Sequence, residues 1–536
     1  MHTRRVSVLG LQVACLATCY FADKLAVAAT CTGVTSIADG NGPVLTQPEV
    51  SLSFWGSYWT MAPSLSAGAI AGAAQDIVNG PYLSLLNQYR NAGLARLVPG
   101  VNVYTGTQPP ASFHNSDVVS MLQAQMTSGA VPPPVTNPTN RSANNLADMV
   151  YVVFMPKGSV NPDYGNRTTG FHGTDRYLDQ RTGNEIQFVW VWVIDDGSLT
   201  DQLSSPMSFS HELAEAITDP FFSAFQSPVT CEIGDMCVTK TQVQNGHSVQ
   251  SYWSNADRQC VLPTGWTGIF QYNGGTSWPQ ISNKSVRQIY SGQFGLIATD
   301  TNDNVSLYSG TPLNWSQIGG PGAMFAVGQG TILRLSNDES SVSAYNGSSW
   351  PVVGGAATAV YGDGPLLATD PGGNLWQYFP ASNSWSNGPI AGKADQFVTD
   401  AVQIFALAWD HGSVSRYNSG TSWTAIGGPA DQLFAGGPVS GRLAATTLDP
   451  NRSVFLNTEG AGWLSQGGAG YMFAVTGGPG AESLSAMTPS RSGGVWTSSN
   501  VNMANPPWNQ IGGPAGRLIA GYNALYATAG IDYVKL

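Results

Sequence analysis

Charge is scarce in this chain. Only 10% of its 536 residues are Asp, Glu, Lys or Arg, and Lys and Arg together number 22. No basic run exists beyond Arg4-Arg5. Nucleic acid is therefore excluded as an expected partner, because phosphate binding needs clustered Lys and Arg. Past the N-terminus the sequence also lacks an apolar run long enough to cross a bilayer. Histidine and cysteine are sparse, six of each, and there are eight glutamates. When such residues are few, a place where they gather is informative.

What the chain has in plenty is glycine (63) and tryptophan (16), with 42% hydrophobic residues. That composition can build a core, which excludes disorder. It suits a β-rich extracellular protein with many tight turns. The net charge of -11 implies solubility and a tendency to bind cations. A length of 536 residues exceeds one ordinary core, so at least two domains are expected.

The N-terminus sets the expected location. Arg4 and Arg5 precede an apolar stretch from Val6 to Phe21, and Ala26-Val27-Ala28 or Val27-Ala28-Ala29 offers a small-residue cleavage site. This predicts a secretory signal peptide over 1–29, a secreted (extracellular or periplasmic) protein, and no membrane association after cleavage. Cys15 and Cys19 leave with the signal, and Cys31, Cys231, Cys237 and Cys260 remain. An even number in an exported chain predicts two disulfides. Three pairings are open. The favoured one joins Cys231 to Cys237 and Cys31 to Cys260, clasping the first domain end to end.

The second half repeats. Its regular marker is a tryptophan, at Trp278, Trp315, Trp350, Trp385, Trp423, Trp463 and Trp508. Spacings of roughly 35–45 residues match a four-stranded propeller blade. The last unit lacks a clear YNGxxW strand, and the first begins with that piece, GIFQYNGGTSW at 268–278. The offset predicts a ring over 265–536, closed by an N-terminal strand that completes the seventh blade and removes the open sheet edges. The tryptophans read mainly as packing between blades, with sugar stacking as the functional alternative. His411, beside Asp410, reads as a surface loop residue, and no cluster of acids or histidines stands out in the repeats.

Residues 30–262 read as mixed α/β. Val50–Trp55, Met149–Met155 and EIQFVWVWVI at 185–194 are expected strands. Ser66–Arg90 reads as one or two helices, and Ser116–Ser128 as another with Ser116 as N-cap. Ser208 or Ser210 would cap a helix carrying SHELAEAITDP at 210–220, which Pro220 stops. The Pro-rich stretch 129–145 reads as a loop.

On these residues the first half resembles the EXORDIUM-like (phosphate-induced protein) family of secreted proteins. The matching pieces are FWGSYW at 54–59, VYVVFMP at 150–156, GFHG at 170–173, HELAEAITDP at 211–220, CEIGDMC at 231–237 and WSNADRQC at 253–260, in the family's order. The plant members carry a cysteine-containing stretch near GFHG that is absent here. The resemblance implies an extracellular protein and its fold more than a reaction. The repeats in turn resemble lectin-type (tectonin-like) propellers, which implies binding of glycans.

The chemistry of HELAE stands on its own. On a helix His211 and Glu215 point the same way, one turn apart. Imidazole and carboxylate are both zinc ligands. In the HExxH pattern of zincin proteases the two histidines bind metal and the glutamate between them activates water. By position His211 is a ligand, Glu212 the general base, and Glu215 replaces the second histidine. Glu232, Asp235 and His172 are the candidates for a further ligand. Zinc is the expected cation. The harder, more anionic set leaves calcium or manganese as alternatives.

The reading is thus a zincin-like, metal-dependent, peptidase-like hydrolase domain, followed by an all-β seven-bladed propeller that binds an extracellular glycan or protein. The alternative is a non-enzymatic, lectin-like binding protein whose metal site is structural or degenerate.

Overall fold

The computed structural model describes residues 31–536 apart from 32, 62, 136–145, 165–167, 181, 439–441, 449–451, 459–461, 469, 478–482, 489–492 and 499. The signal segment expected over 1–29 lies outside the described residues, as does most of the Pro-rich loop.

The first half is built on a six-stranded mixed sheet. Strand β1 (Glu49–Trp55) pairs in parallel with β2 (Leu146–Met155), and β2 with β4 (Glu185–Ile194). Strand β3 (Gly170–Leu178) runs antiparallel along the edge of β4. Two short strands, Arg96–Leu97 and Asn102–Tyr104, extend the other side of β1. The strand-forming runs lack the usual polar alternation because both faces are covered. Val150, Val152, Phe154, Val189, Val191 and Val193 pack toward α1 (Ala67–Asn79) and α3 (Ser205–Thr218). Met149, Tyr151, Val153, Phe188, Trp190 and Trp192 pack toward α2 (Asn115–Ser128).

Helix starts differ from the sequence expectation in a consistent way. Helix α3 begins at Ser205 with Ser204 as N-cap, earlier than Ser208 or Ser210, because Pro206 is compatible with a first helical turn. Helix α2 is capped by His114 rather than Ser116, and the His114 N–H donates to the Asp117 carboxylate at 2.8 Å. Ser66 does cap α1, accepting from the Ala69 N–H at 3.1 Å.

The disulfide pairing corrects the favoured one. Cys31 bonds Cys231, and Cys237 bonds Cys260. Cys231 and Cys237 lie in different turns, and each bonds a partner elsewhere in the first half. Cys231 is tied back to Ser227 by two hydrogen bonds, whereas Cys237 ends a 3-10 turn at Asp235–Cys237. The loop between them is therefore pinned at both ends to other parts of the first half.

The second half is a β-propeller of seven four-stranded antiparallel sheets among the described residues. Six blades are contiguous in sequence, over 286–319, 324–354, 359–385, 396–427, 433–467 and 472–512. In the seventh, Leu525–Ala529 from the C-terminal end pairs with Gly268–Gln271 from the start. Each marker tryptophan donates its indole N–H to a backbone carbonyl of the neighbouring blade, at 2.6–2.8 Å: Trp315 to Ile281, Trp350 to Ile318, Trp385 to Val353, Trp423 to Ile390, Trp463 to Ile426, Trp508 to Gln466, and Trp278 to Ile511. The ring of tryptophans is thus a ring of inter-blade ties.

The two halves are fastened together by buried ions. Arg96 of the first half contacts Glu49 and, across the interface, Asp395. His411 Nε2 lies 3.3 Å from Glu49 and 3.3 Å from Asp395. His411 is only 1% exposed, which corrects its reading as a surface residue and shows a charge cluster that the repeats alone do not complete. Burial opposes charge on Asp395, but Arg96 and His411 outweigh it and hold its carboxyl down at about 2. A second tie joins Asp76 on α1 to Arg287 and His247. Helix α1 can approach the propeller because Gly72 faces Asn337, where a Cβ would sit 2.0 Å from the carbonyl oxygen. Finally, β5 (Gln259–Gly265) in the first half pairs with the last strand, β6 (Asp532–Lys535).

Candidate functional site

Three parts of the first half converge on one place. Helix α3 supplies His211, Glu212 and Glu215. The edge strand β3 supplies His172, which is on the face turned toward α3. The loop pinned by Cys231 and Cys237 supplies Glu232 and Asp235. All six residues singled out in the sequence are therefore neighbours.

The contacts run through the two histidines. His211 Nε2 is 3.3 Å from Glu215 Oε2, 3.9 Å from Glu212 Oε1 and 3.9 Å from Asp235 Oδ1. His172 Nδ1 is 3.1 Å from Glu212 Oε2 and 3.9 Å from Glu215 Oε2, and its Nε2 is 3.4 Å from Glu232 Oε1. The backbone also organises the acids. The Asp235 N–H donates to Glu215 at 3.0 Å, and the Glu232 N–H donates to Asp235 at 3.2 Å. His172 is 0% exposed, whereas the His211 and Asp235 side chains keep 14% and 17% of their surface. The cluster thus has a deep end at His172 and Glu232 and an open end at His211 and Asp235.

Its electrostatics ask for positive charge. Burial opposes charge on His211, but Glu215, Glu212 and Asp235 outweigh it and push the imidazole up to about 10. Burial, reinforced by Glu232 and Asp235 against the pull of His211, pushes Glu215 up to about 7. A donor set of carboxylates and imidazoles gathered within hydrogen-bonding range, with its acids repelling one another, fits a divalent cation. Two sets of three have ligand atoms within 4.8 Å of one another: His211, Glu215 and Asp235, and His172, Glu215 and Glu232.

Supporting residues carried no legible signal in the sequence. Gln250 Nε2 lies 2.7 Å from His211 Nδ1 and donates to the Gly234 carbonyl at 2.9 Å. Phe222, in left-handed backbone at φ 55, lays its ring 4.8 Å from the His172 ring. Gly234 is required by space alone. A Cβ there would stand 2.7 Å from His211 Nδ1 and 2.8 Å from Glu215 Oε1. Asp219, which reads as a simple helix stop, accepts the N–H groups of Ser223 and Ala224 at 2.6 Å each and so fixes the turn leading to Phe222.

No family model matches the chain, and no curated protein matches it. Solved structures to which it is similar include Prp20p from Saccharomyces cerevisiae, at 9% identity and TM-score 0.38, with 51% of this chain and 92% of that chain covered. Another is apo AztD from Citrobacter koseri, at 10% identity and TM-score 0.34, covering 51% and 92%. YCF48 bound to D1 peptide aligns at 10% identity and TM-score 0.29, covering 51% and 90%. Likeness at these scores bears on no activity, and the propeller rests on its own sheet topology.

Proposed function

We propose that the first half is a secreted, zincin-like and EXORDIUM-like metal-dependent hydrolase of the peptidase type, and that the propeller holds it against an extracellular glycan or protein. The observation that carries the reading is the meeting of His211, Glu212 and Glu215 with His172, Glu232 and Asp235 in one buried cluster with an open end.

At the open end His211, Glu215 and Asp235 would hold the cation, with zinc first and calcium or manganese as the harder alternatives. A cation bound there polarises a substrate carbonyl and acidifies water. Glu212 is the residue that takes and returns the proton. It is oriented for this by His172, 3.1 Å from its Oε2. Gln250 sets which nitrogen of His211 carries the proton. For His211 to ligate through Nε2, Nδ1 must keep its proton, and the Gln250 amide must turn its oxygen to it and give up the hydrogen bond to the Gly234 carbonyl. Glu212→Gln tests the reading. It is expected to abolish hydrolysis of a peptide library while bound metal is retained. Hydrolysis that survives the substitution would sink the role of Glu212.

For the propeller, the support is a set of clefts between blades. Trp385, Trp423 and Trp508 each wall one, with cavities of about 300, 450 and 210 Å³. A glycan array probed with the full chain is the direct test, because the last strand of the chain belongs to the first half's sheet and the propeller cannot be cut out cleanly. Absence of binding to any sugar would remove the glycan reading and leave a protein partner.

A further inference from the structure

We propose that the cleft between the 324–354 and 359–385 blades of the propeller takes the guanidinium of an arginine side chain from a partner protein. The proposal rests on the reading of the propeller as a binding domain and chooses, for this cleft, a protein ligand over a glycan.

The cleft is the one walled by Trp385, with a volume of about 300 Å³. A second tryptophan, Trp376, lines it together with Asp370, and the rest of the lining is glycine, alanine and Val342. Ala368, the cross-strand partner of Trp376, contributes only a methyl group to the space between the walls. Both indole N–H groups are committed within the chain. Trp385 donates to the Val353 carbonyl at 2.8 Å, and Trp376 to Asp370 Oδ2 at 2.9 Å. The rings are therefore fixed, and what they offer a ligand is π surface.

Asp370 supplies the charge. It also accepts the Asn374 backbone N–H at 2.9 Å and the Asn374 side-chain amide at 3.1 Å. Burial opposes charge on Asp370, but these donors and Trp376 outweigh it and hold its carboxyl below the ordinary value. All of them are neutral, so they stabilise the negative charge without cancelling it. A sugar needs donors and acceptors around its ring, and this lining has no side-chain donor besides the two committed indoles. A guanidinium is planar and weakly hydrated, stacks on aromatic faces and pairs with carboxylates. The net charge of -11 favours the approach of a cationic partner.

The preceding blade shows the fit. Arg334 pairs with Ser343 as Ala368 pairs with Trp376, so Arg334 and Ala368 hold the same place in their blades. The Arg334 guanidinium lies 5.0 Å from the ring centroid of Trp350, the marker tryptophan of its blade. A Cβ on Gly322 would stand 2.7 Å from Arg334 Cγ, and Gly322 precedes the first strand of its blade by two residues, as Ala357 of the cleft lining does. One blade thus fills this position with its own guanidinium. The next lacks the arginine, has a second tryptophan, and carries Asp370 where the first has Ser336. The 472–512 blade repeats the two tryptophans as Trp496 and Trp508 but has Thr488 in place of Asp370, so it offers no charge to a cation.

The test uses the full chain, titrated with Nα-acetyl-arginine amide, its neutral isostere Nα-acetyl-citrulline amide, and methyl glycosides, and read by saturation-transfer NMR. The arginine probe is expected to bind about tenfold more tightly than citrulline. Ala368→Arg, which gives this cleft the occupant of the preceding blade, should abolish binding of the arginine probe. Asp370→Asn should erase the preference for arginine over citrulline. Equal binding of the two probes by the wild type overturns the proposal, as does arginine binding that survives Ala368→Arg. A methyl glycoside that binds where the arginine probe does not, and is lost in Ala368→Arg, overturns it and leaves the glycan reading standing for this cleft. Binding of no probe overturns it and leaves the other clefts to the glycan array. If either variant fails to fold by circular dichroism, the wild-type ratio of arginine to citrulline binding decides.

Discussion

Trp278 donates its indole N–H to the carbonyl of Ile511 at 2.7 Å, joining positions 233 residues apart. It repeats the tie made at every other blade boundary, and here the tie closes the ring. Trp278→Phe should keep most of the packing and lose the hydrogen bond, costing about 1 kcal/mol. Trp278→Ala should cost ~3 kcal/mol, the low end for removing a large aromatic, because the side chain is only partly buried. Chemical denaturation of the full chain checks both values. Equal losses for the two variants would show that packing contributes nothing.

The buried quartet at the interface makes a pH prediction. Burial opposes charge on His411, but Glu49 and Asp395 outweigh it and raise its pKa well above the ordinary value. A raised folded-state pKa stabilises fully below the unfolded value of about 6.5, and the gain is lost as pH rises toward the folded value. His411→Gln should therefore cost about 3 kcal/mol near neutrality, as for breaking a buried ion pair. The gap between wild type and variant should narrow steadily in alkaline buffer. Thermal melts from pH 6 to 10 measure it, and a constant gap would refute a charged His411.

Gly234 and Gly72 are sites where a methyl group is too much. Gly234 has φ -76, a conformation open to any residue, so Gly234→Ala acts only through its clash with His211 and Glu215. Loss of bound metal with a nearly unchanged melting temperature is expected. Gly72→Val, facing the Asn337 carbonyl, should instead destabilise the whole chain by loosening α1 from the propeller.

The two disulfides should differ in weight. By chain entropy, a crosslink spanning 200 residues is worth ~5 kcal/mol and one spanning 23 residues ~3 kcal/mol. Cys31→Ser and Cys237→Ser should lower stability in that order. Either should also weaken metal retention, since each frees one end of the loop that carries Glu232 and Asp235. A reversed order would show that strain or residual structure outweighs loop closure.

Much of this was legible in residue order. The tryptophan spacing and the offset between GIFQYNGGTSW and the final unit specify a closed ring, because a blade is a local unit with a fixed length. His211 and Glu215 share a face because helical geometry puts them there. His172, Glu232 and Asp235 stood out as scarce residues near small or cysteine-rich motifs. Other features belong to no local pattern. Three cysteine pairings are consistent with the same sequence, and only the turns at 227–231 and 235–237 separate them. His411 looked solitary because Glu49 and Arg96, which surround it, lie in the other half of the chain. Gln250 resembles any strand glutamine until His211 is placed beside it.

The pairing of β5 with β6 has a consequence for how the molecule is made. The strand that finishes the first half's small sheet is synthesised only after the propeller strands. The half that is translated first must wait, with one edge open beside Cys260, until Asp532–Lys535 arrives. A chain that stops short of Asp532 leaves that edge exposed, so premature termination anywhere in the propeller is registered as a defect in the half that was synthesised before it.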